Sequence, residues 1–133
     1  MRVAFDLDGT LDKPALCDLA KLLINEGNEV HIITGIFDEA GEWQNELAKM
    51  QKLDRLGIEW ERADEGSGGY RARVHFLHAM EHTFGRDYRL ADLGLRKAEI
   101  TQRFGISMIF DDSETYCKIM PAMNGDLTIL RVM

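Results

Sequence analysis

Two carboxylates one residue apart, Asp6 and Asp8, close a short apolar run at Val3-Ala4-Phe5, and Gly9 and Thr10 follow them. A second acidic pair, Asp111-Asp112, closes another apolar run that begins at Ile106. Between these lie Thr34-Gly35, at the end of the run Val30-His31-Ile32-Ile33, and Lys97. An Asp-x-Asp spacing presents both side chains on one side only while the chain stays extended. Gathered in one place, four carboxylates would raise one another's pKa and strain the fold unless positive charge joined them. Hard oxygen donors in that number suit Mg²⁺, which keeps several waters and is held by a few carboxylates together with phosphate. A phosphate there would meet the metal, Lys97, the Thr34 hydroxyl and the turn at Gly9 and Thr10, with Gly35 alongside. One carboxylate would be left to attack phosphorus, as carboxylates do when they form an aspartyl-phosphate.

The elements that must position these residues follow from the apolar periodicity. Residues 3–5, 30–35 and 106–110 read as buried strands that end in polar residues, and 127–132 as a terminal strand after the Asn124-Gly125 turn. Pro14, with Leu16, Leu19 and Leu23 at helical spacing, opens a helix that stops at Gly27. A longer helix is expected from Asp38 or Glu39 to Gly57, with Ala40, Trp43, Leu47, Met50 and Leu53 on one face, and an edge strand over 58–61. Val74, Leu77, Met80 and Phe84 predict a further helix over 70–84. Its His75, His78 and His82 lack the partners of a metal face and read as a solvated flank. Residues 85–94 read as irregular, and a short helix starts at Lys97 and ends at Gly105. The glycines of 66–69 lack the remainder of a dinucleotide fingerprint. Strands alternating with helices in this way imply an α/β fold, a three-layer α/β/α sandwich around a mainly parallel, Rossmann-like sheet of about five strands. Ligands of such sheets bind outside the carboxyl ends of the strands, where Asp6, Thr34 and Asp111 fall.

With 133 residues, 45% apolar and 29% charged, the chain has the composition of one ordinary globular domain. A net charge of −7 disfavours nucleic acid and anionic membrane as partners, while leaving room for a local basic patch. Cys17 and Cys117 lack metal-ligand spacing and read as reduced thiols, no apolar run approaches a membrane span, and Asp6 comes too early for a secretion signal. A cytoplasmic location is expected.

The residues Phe5-Asp6-Leu7-Asp8-Gly9-Thr10-Leu11, then Ile32-Ile33-Thr34-Gly35, then Lys97, then Ile109-Phe110-Asp111-Asp112, resemble in this order the four motifs of the haloacid dehalogenase-like superfamily. The resemblance implies that family's fold and a Mg²⁺-dependent phosphomonoester hydrolase. Asp6 would be nucleophile and metal ligand, and Asp8 general acid-base and, through its carbonyl, metal ligand. Thr34 and Lys97 would hold the phosphoryl group, and Asp111 and Asp112 would complete the metal site. Arg96 and Lys118 are the rivals of Lys97. The intervals between motifs are too short for a large cap, which implies a small capless member open to a phosphorylated small molecule or an exposed macromolecular phosphate. Tyr70, Arg71 and Arg73 are the residues to test for substrate contact. The alternatives are a binding or regulatory module of the same fold without turnover, and a phosphatase of nucleic-acid 3′ ends.

Overall fold

The computed structural model describes residues 1–37, 45–65, 69–80 and 84–133. Its strands are β1 (Arg2–Phe5), β2 (Glu29–Ile36), β3 (Trp60–Arg62), β4 (Ala72–His78), β5 (Met108–Asp111) and β6 (Thr128–Arg131). Its helices are α1 (Pro14–Asn25), α2 (Asn45–Arg55), α3 (Arg86–Arg103) and α4 (Glu114–Met123). The strands form one sheet in the order β3-β4-β2-β1-β5-β6, and every neighbouring pair is parallel. This is a Rossmann-like α/β fold, and no cap domain stands over it among the described residues.

Each strand is short and apolar because a parallel sheet is covered on both faces. One face packs Val3, Phe5, Ile32 and Val74 against Cys17, Ala20 and Ile24 of α1 and Leu53 of α2. The other packs Ala4, Ile33, Leu77 and Ile109 against Leu93 and Ala98 of α3 and Tyr116 and Met120 of α4. The chain leaves β1 toward β2 on one side and returns through α3 to β5 on the other. The order of strands therefore reverses between β1 and β5, the place where doubly wound sheets open a crevice at their carboxyl edge.

Two sequence expectations are corrected. The helix over 70–84 is the strand β4, because Ala72, Val74 and Phe76 face the α1 and α2 side while His75 and Leu77 face the other. The helical spacing of Val74 and Leu77 coincided with a seven-residue strand. The stretch 85–94 is not irregular but the first half of α3, an 18-residue helix, so Lys97 lies in a helix interior and not at a helix start. Gly94 packs against α4, and a Cβ there would lie 3.3 Å from Tyr116. The expected opening of the longer helix at Asp38 or Glu39, the glycines 66–68 and His82 lie outside the described residues.

Candidate metal centre

The ladder between β1 and β5 continues one residue past β1, where the Asp6 amide donates to the Phe110 carbonyl at 2.8 Å. Asp6 and Asp111 therefore stand side by side where the two strands end. Beyond Asp6 the chain bends away, with Asp8 extended and Gly9 in the left-handed region at φ +77°. Only glycine fits there, because a Cβ on Gly9 would overlap the Asp112 carboxylate. Asp6, Asp111 and Asp112 thus converge, each offering an oxygen within 4.8 Å of the others.

Lys97 reaches this cluster from α3. Its Nζ donates to Asp6 Oδ1 at 3.0 Å and to Asp111 Oδ2 at 2.8 Å, and lies 4.5 Å from the centre of the Tyr116 ring. The side chain is fully buried. Burial works against its charge, but the two carboxylates outweigh that and raise its pKa above the ordinary lysine value. Burial also raises the pKa of Asp6, with Lys97 opposing and Asp112 reinforcing the shift. Asp111 is raised by burial and by Asp6, against the pull of Lys97, and its Oδ1 accepts from the Ser113 amide at 2.9 Å.

Asp8 does not join the three acids. Its side chain turns to α2, where Lys49 and Lys52 both pair with it. Lys52 also bridges to Asp12 at 2.7 Å, and Asp12 accepts from the Gly9 amide at 2.7 Å. Lys49 has its pKa lowered by burial, with Asp6 opposing and Lys52 and Lys97 adding to the shift. Sequence reasoning missed both lysines. They lie three residues apart and so share a helix face, but which face meets the rim depends on the helix's place on the sheet.

Thr10 is fully buried, and its Oγ1 has no hydrogen-bond partner among the described residues. Thr34 is buried in β2 opposite Phe76 and makes no hydrogen bond to the acidic cluster. Gly35 follows it, close to Leu93 and the Tyr116 hydroxyl. Of the rivals to Lys97, Arg96 donates to the His78 carbonyl at 2.7 Å and Lys118 forms an exposed pair with Glu114. Arg73 lies at the start of β4, opposite His31, and pairs with Glu29 at 3.3 Å. Together with the exposed Tyr70 and Arg71 it belongs to the opposite end of the sheet from Asp6. Their proposed contact with substrate is corrected, because they lead into a strand and not a helix beside the rim.

Do these residues fit a divalent cation? Asp6, Asp8, Asp12, Asp111 and Asp112 face Lys49, Lys52 and Lys97, five carboxylates against three ammonium groups. The excess of two negative charges, on hard oxygen donors at the carboxyl rim of the sheet, suits one ion such as Mg²⁺. No histidine belongs to such a cluster among the described residues. His75 instead bonds to His31, and His78 pairs with Glu46. A cleft of about 570 Å³ opens elsewhere, beside β4, lined by Arg62, His75, Phe76, Arg103 and Phe104 among others. It shares none of the acidic rim residues.

No protein-family model matches the sequence, and no curated protein matches it. A solved structure of a protein from the universal stress protein family of Burkholderia pseudomallei resembles the chain, with 12% identity and a TM-score of 0.49, over 98% of this chain and 94% of that one. A likeness of that size says nothing about this chain's ligand. The haloacid dehalogenase-like assignment is nevertheless corrected, since that family is matched by neither comparison and the solved neighbour comes from another family. The phosphatase and hydrolase reading falls with it, as do the aspartyl-phosphate intermediate and the 3′-end alternative. Physically, any doubly wound sheet binds its ligands outside the carboxyl ends of its strands, so polar residues at those ends locate a rim and do not by themselves specify a reaction.

Proposed function

We propose that this chain is a Mg²⁺-dependent binding module for a phosphorylated ligand. The observation that carries this reading is the buried Lys97 ammonium shared by Asp6 and Asp111, with Asp112 completing a three-carboxylate cluster at the carboxyl edge of the sheet. Asp6, Asp111 and Asp112 would hold the ion, which supplies an electrophilic partner for a phosphoryl oxygen. The buried Thr10 hydroxyl, which has no partner among the described residues, and the turn at Gly9 would face the same phosphoryl group, with Thr34 and Gly35 on the neighbouring strand. Lys97 keeps Asp6 and Asp111 in place and limits their repulsion. The acidic surface favours a small ligand over nucleic acid. Both cysteines are unpaired thiols, as a reducing cytoplasm would keep them.

The test is thermal denaturation with Mg²⁺, phenyl phosphate, or both. Binding to the native state alone raises stability by RT ln(1 + [L]/Kd), about 2.7 kcal/mol at a hundredfold excess over Kd. Mg²⁺ alone is expected to raise Tm, phenyl phosphate to add to it only with Mg²⁺ present, and Asp111→Asn to lose both effects. A wild-type Tm indifferent to millimolar Mg²⁺ would overturn the reading.

A further inference from the structure

Arg89, Leu93 and Lys97 lie four residues apart along α3, on one face, and all three are buried. At roughly 1.5 Å of rise per residue, Arg89 stands about 12 Å from Lys97 toward the start of the helix. Its surroundings differ from those of Lys97. Nε donates to the Met80 carbonyl at 3.0 Å, and the guanidinium lies 5.1 Å from the centre of the Phe37 ring. Among the described residues Nη2 is buried with no hydrogen-bond partner, and no carboxylate pairs with this arginine.

A buried guanidinium with an unmatched N–H is costly, and such groups in native proteins are commonly met by a water, an ion or a ligand. Two further features point the same way. Arg86 places its guanidinium 5.3 Å from the same Phe37 ring. Gly85, which caps α3, brings no side chain to the free N–H groups of the first turn. Helix side chains lean toward the N-terminus, so the Arg89 guanidinium shares the space of that turn. Phe37 and Met80 follow the carboxyl ends of β2 and β4, which puts this cationic corner on the same edge of the sheet as Asp6.

We propose that Arg89, with Arg86 and the first turn of α3, forms an anion subsite for a second phosphate of the ligand whose first phosphate is held at the metal centre. The ligand class is a bisphosphate whose two groups are separated by roughly 10 Å, somewhat less than the Arg89 to Lys97 rise. This rests on the reading of the rim given above.

Calorimetry of the full chain with saturating Mg²⁺ tests it, using hexyl phosphate, hexanediol bisphosphate and propanediol bisphosphate as probes. Hexanediol bisphosphate is expected to bind at least about tenfold more tightly than hexyl phosphate, the effect of one charge-assisted contact. Propanediol bisphosphate, too short to span the two positions, should show no such gain. Arg89→Met is expected to erase the difference between the hexyl compounds, and the exposed Arg86→Ala to reduce it should the Arg89 variant fail to fold. Equal affinities of the two hexyl compounds for the wild-type chain would overturn the subsite alone. Failure of hexyl phosphate to bind beside bound Mg²⁺ would overturn the rim reading and this subsite together.

Discussion

Lys97 keeps its charge in a place that would otherwise neutralise it, and the reason is the pair of carboxylates at 3.0 and 2.8 Å. Those carboxylates in turn sit above their ordinary pKa, Asp6 through burial and Asp112, Asp111 through burial and Asp6. A metal needs them deprotonated, so binding must displace protons when the pH is near their raised values. Mg²⁺ affinity is therefore expected to fall as pH drops through a range above that of ordinary aspartates. Calorimetric titrations repeated at falling pH in buffers of different ionisation enthalpy should show proton release that grows as the pH drops. Equal heats in every buffer at every pH would show the acids already ionised when the metal binds. At this scale the sequence identified the residue types and four of the partners that come together, Asp6, Asp111, Asp112 and Lys97. It grouped Asp8 with them because a two-residue spacing looks equivalent in an extended chain, whereas Lys49 and Lys52 draw Asp8 aside.

Among the elements, the turn after β1 and the helix α3 set the geometry of the rim. Gly9 combines a φ of +77° with the Asp112 carboxylate packed against its Cα, so Gly9→Ala meets both backbone strain and overlap. It is expected to lower stability by about 1–2 kcal/mol from the backbone conformation and to weaken Mg²⁺ binding by displacing Asp112. Gly69→Ala is the control, since Gly69 has φ +98° with nothing within 4 Å of the added carbon. Both variants should lose stability in urea denaturation, and Gly9→Ala alone should lose Mg²⁺ affinity. Unchanged Mg²⁺ binding in Gly9→Ala would separate Asp112 from the metal site. The sequence made α1, β2 and β5 legible through period and boundary residues. It failed at β4 because a short run of Val, Phe and Leu satisfies both periods, and the choice was made by pairing with β2 over six residue pairs.

On the scale of the whole molecule, the sheet brings residues distant in sequence into a relay of neutral rings. His31 is fully buried, with Nε2 2.9 Å from Glu29 and Nδ1 2.9 Å from His75 Nε2. With Glu29 accepting from His31 and His31 accepting from His75, this chain of bonds requires no charge on either ring. Burial first, then His31, pushes the His75 pKa down to about 4. Between that value and the ordinary 6.5 the unfolded chain binds more protons than the folded one, so this group's contribution to stability is present above pH 6.5 and lost as pH falls toward 4. The loss amounts to about 3 kcal/mol for the full depression. Asp6 and Asp111, raised, act in the opposite direction, so the informative measurement compares variants. His75→Gln, whose amide can still donate to His31, should show a shallower fall of denaturation free energy from pH 6.5 to 4.5 than the wild type. Parallel profiles would show that His75 does not titrate in that window.

What the sequence determined by itself is local: apolar runs that must be buried strands, the polar residues that close them, and hence an α/β sheet with acids at its carboxyl edge. What the tertiary structure decided is every relation that crosses the chain. The order β3-β4-β2-β1-β5-β6 put Asp6 beside Asp111, the path of α3 buried Lys97 between them, and α2 carried its lysines to Asp8. These relations depend on which elements become neighbours, and that is settled by the burial of whole faces, for which no single stretch of sequence holds the information.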